Sequence, residues 1–242
     1  MARKGVGDFV TAVDLAAEKL LRRLLHDAWP AHGIVGEELP PHEPGADFVW
    51  ILDPIDGTSN FGRGHSIYAV SVACLHAGRP VAAAVHCLPE DITYHAALGC
   101  GARRGRQALR LARRRRGLDD ASILGVQWHR GPRSIEYLEQ LVASGTRVRN
   151  FGCTVTQLCD VATGRLDGNV QEQGKIWDFA AAALLVTEAG GRFTSWGGED
   201  IFPLSSIEAD RHYPSVAAVP VVQRQLCGIL GPFEEGVSAA PR

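Results

Sequence analysis

The sequence predicts a mixed α/β (α+β) fold: an antiparallel sheet backed by a helix, then a half in which strands and helices alternate. Three observations carry that prediction. Residues 67–75 and 80–88 are Val- and Ala-rich runs joined by His76-Ala77-Gly78-Arg79, a hairpin signal. From residue 120 onward, strand-like and helix-like segments alternate, the order of a sheet flanked by helices. Ahead of both, Leu20, Leu21, Leu24, Leu25 and Ala28 recur with helical period, which predicts an amphipathic helix.

Taken in order, Thr11 and Asp14 have the spacing of a capping box, with Asp where Glu is usual, so the first helix starts there. Pro30 ends it. Ile34-Val35 is a short strand running into Gly36-Glu37-Glu38, and a Pro-rich loop follows over residues 39–45. Residues 47–52 form the next strand, which breaks at Asp53-Pro54. Gly57, Thr58, Ser59 and Asn60 are small and polar and suit the opening of a helix. Beyond the hairpin, residues 92–97 add a strand. In the second half, residues 121–126, 147–151 and 166–170 read as strands. Residues 134–142, 153–163 and 177–189 read as helices, with Gly164 and Gly190-Gly191 as C-terminal stops. Val216 to Val222 reads as a last strand, and a polar tail starts near Glu234.

Composition narrows the class. The chain has 242 residues, 45% apolar and 21% charged, which is ordinary for a globular protein. A net charge of −2 argues against a general nucleic-acid or membrane-surface binder. Eight arginines fall within residues 103–116. No aromatic residue interleaves them, so they read as a solvated hairpin and loop between two sheets, and no nucleic-acid partner is expected. The six cysteines form no C-x-x-C pair and read as buried thiols in a reducing compartment. The N-terminus lacks the apolar core of a signal peptide, and no apolar run approaches membrane-spanning length. The expectation is a cytoplasmic protein with no membrane partner.

Four carboxylates stand out by position: Glu37 after a short strand, Asp53 and Asp56 after the next, and Asp178 at a helix start. Singly, each has a plain explanation. The helix dipole favours Asp178, and Asp before Pro is a common turn residue. Together they stand beside a Gly-Thr-Ser-Asn run whose backbone N–H groups suit an anion. Carboxylates for a hard cation next to donors for an anion are what a phosphate site needs.

These residues also carry a resemblance. Residues 53–61, D-P-I-D-G-T-S-N-F, resemble the first signature of the inositol monophosphatase family. Residues 177–191, W-D-F-A-A-A-A-L-L-V-T-E-A-G-G, resemble its second. V-G-E-E at 35–38 and G-D-F-V-T-A-V-D at 7–14 match two further blocks in the family's order. The resemblance implies a layered α-β-α-β-α sandwich, a Mg²⁺-dependent, lithium-sensitive phosphomonoesterase activity and a homodimer. It implies that Glu37, Asp53, Asp56, Asp178 and the Ile55 carbonyl hold two or three Mg²⁺ ions. Gly57 and Thr58 would offer backbone N–H groups to the phosphate. Thr58, paired with Asp14, would orient the attacking water together with Glu37.

Substrate contacts follow from the same resemblance. Residues 149–154, R-N-F-G-C-T, match the block that meets the leaving alcohol, so Gly152, Cys153 and Thr154 join Asp56 there. Inositol-specific members carry a glutamate seven residues before the aspartate matching Asp178. That position holds Gln171, with Glu172 beside it. Glutamine also bonds a hydroxyl, so a small polyol phosphate such as inositol monophosphate is the expected substrate. Histidinol phosphate, sugar (bis)phosphates and 3′-phosphoadenosine nucleotides stay open. Lys4 already belongs to the K-x-x-x-D-x-V-T block, before which members usually carry another helix. That helix is missing or lies upstream. The expected halves are residues 1–116, with most metal ligands, and 117–242, with Asp178 and the substrate-facing loops. A rival of another class, a catalytically silent protein holding RNA through Arg113 to Arg116, is disfavoured because every catalytic position is present.

Overall fold

The computed structural model describes residues 2–5, 8–111, 117–128 and 131–236; Gly7 and Arg113 to Arg116 lie outside them. Strands β1 (Ala2–Gly5) and β2 (Asp8–Val10) pair antiparallel and lead into α1 (Ala12–Ala28). The start of α1 is set by the capping box: Thr11 Oγ1 accepts the Val13 and Asp14 N–H groups, and Asp14 Oδ2 accepts the Thr11 N–H at 2.9 Å. The leucine periodicity marks the docked face only in part, since Leu21 and Leu25 are half-buried on it. Leu20 and Leu24 are 46% and 55% exposed, whereas Asp14 and Glu18 are fully buried. The helix docks by its acidic flank because that flank meets backbone donors and a hydroxyl at the strand ends.

Next come β3 (Gly33–Gly36), β4 (Phe48–Asp56), the short α2 (Thr58–Arg63), β5 (Ala69–His76) and β6 (Arg79–Cys87). Strands β7 (Ile92–Ala97), β8 (Gly101–Arg104) and β9 (Gln107–Leu109) complete a seven-stranded sheet in sequence order. Only β3 and β4 run parallel; the rest is an antiparallel meander. The first arginines of the 103–116 run lie on the β8–β9 hairpin at the sheet edge.

The second half supplies β10 (Ile123–Gln127), α3 (Pro132–Ala143), β11 (Arg147–Arg149), α4 (Thr154–Thr163) and β12 (Gly168–Gly174). Helix α5 (Ile176–Glu188), β13 (Arg192–Thr194), β14 (Tyr213–Ala218) and α6 (Pro220–Leu230) follow. A 3-10 turn, Gly231–Gly236, ends the described chain. The strand expected at 216–222 instead starts at Tyr213 and stops at Ala218. Pro220 is the reason: it has no N–H for a ladder, and its fixed φ suits the first turn of a helix.

The second sheet is ordered β11-β10-β12-β14-β13, parallel on one side and antiparallel on the other. Helices α4 and α5 lie between the two sheets, α1 covers the outer face of the first at β4, and α3 and α6 cover the second. This is a five-layer α-β-α-β-α arrangement. Helix α5 is apolar on all sides, with residues 179–186 buried throughout. A helix of that kind belongs inside a core. Its run of alanines at 180–183 lets both sheets approach closely, and it aims its N-terminus at the end of β4.

Candidate active site

The site is built where β3 and β4 end and α5 begins. Strand β4 is buried over residues 51–55 and takes Asp53 inside with it, at 1% exposure. Strand β3 runs parallel with Gly36 opposite Leu52, and the Glu37 N–H donates to the Leu52 carbonyl at 3.2 Å. One register step further, Glu37 stands beside Asp53. On the other side β5 runs antiparallel, and its register shifts between Asp53 and Asp56. That bulge falls at Pro54-Ile55, where Pro54 has no N–H to donate. Residues three apart in a regular strand face opposite ways. The extra residue turns Asp56 back toward Asp53, as bulges beside functional sites commonly do.

Asp178 enters from α5, as the third residue of the helix. Its Oδ2 accepts the Lys175 N–H at 2.8 Å. The four carboxylates feel one another. Burial raises the Asp53 carboxyl well above its ordinary value, and the charges of Glu37, Asp56 and Asp178 push the same way. Asp56 is raised to about 7, chiefly by burial, with Glu37 adding; the Val155 N–H and the Cys153 thiol oppose the rise. Those donors come from the start of α4: Val155 N lies 2.5 Å and Cys153 Sγ 3.3 Å from Asp56 Oδ2. Burial pushes the Cys153 thiol up too, which keeps it protonated and a donor.

The turn that follows the acids is closely packed. Gly57 has φ +89°, and a Cβ there would lie 2.9 Å from the Ile67 carbonyl oxygen and 3.1 Å from Cys153 Cβ. Only glycine fits on both counts. Asn60 braces the loop by donating to the Ile67 carbonyl at 2.8 Å and the Phe151 carbonyl at 2.7 Å. Thr58 Oγ1 reaches two acceptors, Asp14 Oδ1 at 3.2 Å and the Ile55 carbonyl at 3.0 Å. Asp14 thus divides its work: one oxygen caps α1 and the other meets Thr58.

The donor set fits a hard divalent cation. Asp53 Oδ1 is buried with no protein partner, which is costly unless a cation or water takes it. Four mutually repelling acids and a nearby carbonyl present oxygen alone, the ligand chemistry of Mg²⁺. Among the described residues no three acid, imidazole or thiol groups close around one point. Mg²⁺ is usually held by one or two carboxylates, with water and substrate phosphate completing the shell, so an open set suits it.

Gln171 and Glu172 sit on opposite faces of β12. Gln171 is 2% exposed, and its amide lies 3.4 Å from Thr154 Oγ1, on the α4 side. Glu172 is 4% exposed on the α3 side, where Oε2 accepts from Ser134 at 2.6 Å and Tyr137 at 3.3 Å. The structure therefore sets Glu37, Asp56 and Asp178 within electrostatic reach of Asp53, with Thr58 bonded to Asp14 and the α4 start bonded to Asp56. It turns Glu172 away. Glu18 supports the site from α1 and is not one of the four acids that end strands or open helices. Its signal was available, four residues after Asp14 on the same helical face.

The model of the inositol monophosphatase family matches residues 2–225. The putative Nus factor SuhB of Neisseria meningitidis is 38% identical over 201 residues, covering 81% of this chain and 77% of that protein. An inositol-1-monophosphatase of Mycobacterium bovis is 38% identical over 206 residues, covering 79% and 70%. The crystal structure of the extragenic suppressor protein suhB from Bartonella henselae superposes with a TM-score of 0.85 at 30% identity, covering 95% of this chain and 87% of that one.

Proposed function

This chain belongs to the inositol monophosphatase family, and from that premise we propose that it is a Mg²⁺-dependent phosphomonoesterase acting on small polyol phosphates such as inositol monophosphate. The observation that carries the reading is the mutually repelling acid cluster Glu37, Asp53, Asp56 and Asp178, with Asp53 buried and the other three half-buried, beside the glycine-led loop at 57–58. Those four acids and the Ile55 carbonyl would hold Mg²⁺. When bound, Mg²⁺ neutralises phosphate charge, eases deprotonation of water and stabilises the leaving alkoxide. The backbone N–H groups of Gly57 and Thr58 receive the phosphate oxygens. With the Ile55 carbonyl given to the cation, Thr58 Oγ1 would donate its one hydrogen bond to Asp14, leaving its lone pairs free to accept from a water and aim it at phosphorus. Glu37 accepts from the same water. The start of α4, with Gly152, Cys153 and Thr154, faces the leaving alcohol.

The test is release of inorganic phosphate, with and without Mg²⁺, from a panel of inositol monophosphate, histidinol phosphate, sugar bisphosphate and 3′-phosphoadenosine nucleotide. Relative kcat/KM names the alcohol, and no turnover on any of them removes the reading. In the same assay Thr58→Ala is expected to lower kcat by about 10²–10⁴, the usual worth of a group that handles the proton of the attacking water. A kcat within about twofold of wild type would strip Thr58 of this role.

We infer further that Gln171 reaches the alcohol only through Thr154 and that Glu172 does not reach it at all. Replacing Glu172 by Gln should then act on stability, because the two hydroxyl donors lose a charged acceptor. The expected cost is about 1–3 kcal/mol, seen as a lower melting temperature, with KM for the best substrate changed by less than about twofold. A large KM change at unaltered stability would return Glu172 to the substrate site.

A further inference from the structure

We infer that Glu18 and Arg22, an ion pair on α1, are positioning residues for Glu37; this rests on the reading of Glu37 as a metal ligand. Only Asp14 and Glu18 are fully buried on α1. They are four residues apart and share one face. Asp14 reaches the site through Thr58, and Glu18 reaches it through the loop that follows β3.

The contacts are specific. Glu18 Oε2 accepts the Glu38 N–H at 2.8 Å, and Oε1 accepts the Leu39 N–H at 3.2 Å. Arg22 donates Nε to Glu18 Oε1 at 2.8 Å and Nη2 to the Leu39 carbonyl at 2.9 Å. The pair therefore grips both the donor and the acceptor edge of the backbone just past Glu37. On the near side, a Cβ on Gly36 would lie 2.3 Å from Glu18 Oε1, so the carboxylate packs directly on that glycine. Glu37 is thus flanked by the Glu18 carboxylate before and after, and its own N–H is tied to Leu52.

A buried carboxylate is costly unless its oxygens are satisfied. An apolar side chain would fill the same space without that cost, so packing alone does not account for an acid here. Two backbone N–H groups of a loop with no helix or strand pairing of its own do. Mg²⁺ demands near-ideal octahedral geometry, so a small displacement of residues 37–39 would be read directly as lost affinity.

The test is Mg²⁺ binding by isothermal titration calorimetry, without substrate, on wild type, Glu18→Gln and Arg22→Gln. Glutamine is isosteric but turns an NH₂ toward backbone N–H donors. A folded Glu18→Gln protein is expected to bind Mg²⁺ about ten- to a hundredfold more weakly, the usual effect of losing a group that orients a metal ligand. Amide hydrogen exchange at Glu38 and Leu39 should also accelerate while the rest of α1 stays protected. Wild-type affinity in folded Glu18→Gln overturns the inference. If Glu18→Gln does not fold, Arg22→Gln decides: it removes the Arg22 bond to the Leu39 carbonyl and the ion pair that aims Glu18, so unchanged affinity there overturns the inference. Wild type that binds Mg²⁺ but hydrolyses no monoester removes the phosphatase reading and leaves this one standing. Wild-type hydrolysis with undiminished Mg²⁺ affinity in Glu18→Gln does the reverse. Wild type that binds no Mg²⁺ overturns both.

Discussion

Replacing Asp53 by Asn is expected to cut Mg²⁺-dependent phosphate release steeply and, in the same protein, to raise the melting temperature measured in EDTA. The two effects have one cause. Asp53 is buried, and its charge is opposed by burial and by Glu37, Asp56 and Asp178. Without a cation, either holding that charge or taking up a proton to remove it costs stability at neutral pH. Asparagine removes it and can donate an N–H to a neighbouring carboxylate. Each kcal/mol of relieved repulsion should appear as about 2–4 °C in a chain of this length. With Mg²⁺ the balance reverses, because the substitution removes a ligand oxygen's charge from the position most enclosed by protein. Several kcal/mol of transition-state stabilisation depend on a correctly held ion, so phosphate release should fall by about a thousandfold, roughly 4 kcal/mol. Phosphate assays and thermal unfolding in EDTA and in Mg²⁺ check both halves. A variant that keeps its activity, or that melts lower in EDTA, contradicts the account.

The second large effect is opposite pH dependence with and without Mg²⁺. Asp56 is raised from 3.8 to about 7. Between those values the folded, metal-free protein keeps a proton that the unfolded chain releases. The contribution to stability is full below the unfolded value and is lost as pH rises through the folded one, with a slope of at most about 1.4 kcal/mol per pH unit for each such proton. Asp53 is shifted in the same direction and adds to the trend. Metal-free protein should therefore melt lower at about pH 7.5 than at about pH 5.5. Mg²⁺ competes with the same protons, so its affinity should rise with pH and level off above about 7. The melting-temperature gain from Mg²⁺ should grow over that range. Thermal scans at matched pH, with and without Mg²⁺, test it. A gain from Mg²⁺ that shrinks as pH rises would be the contrary result.

Much of the site can be read in one dimension because its parts are local. The Thr11–Asp14 capping box, the Asp53-Pro54 break, the Gly57 turn and the all-apolar α5 each depend on residues a few positions apart. Long-range packing governed the rest. Leucine spacing in α1 predicts a helix but not which flank docks, and the acids at 14 and 18 docked because their partners, Thr58 and the 38–39 backbone, lie elsewhere in the chain. Gln171 and Glu172 are neighbours in sequence, and strand alternation sends them to different layers. Which of the two faces α4 depends on where the sheet sits.

The sequence by itself determined the donor types, their order along the chain and the breaks that place acids at strand ends. Only the tertiary structure decided that the acids come within electrostatic reach of one another. Asp53 and Asp56 are three residues apart and would face opposite sides of a regular strand. They share a side because β5 pairs with β4 through a bulge at Pro54-Ile55. A bulge is a relation between two strands, so the residues of one strand cannot specify it alone.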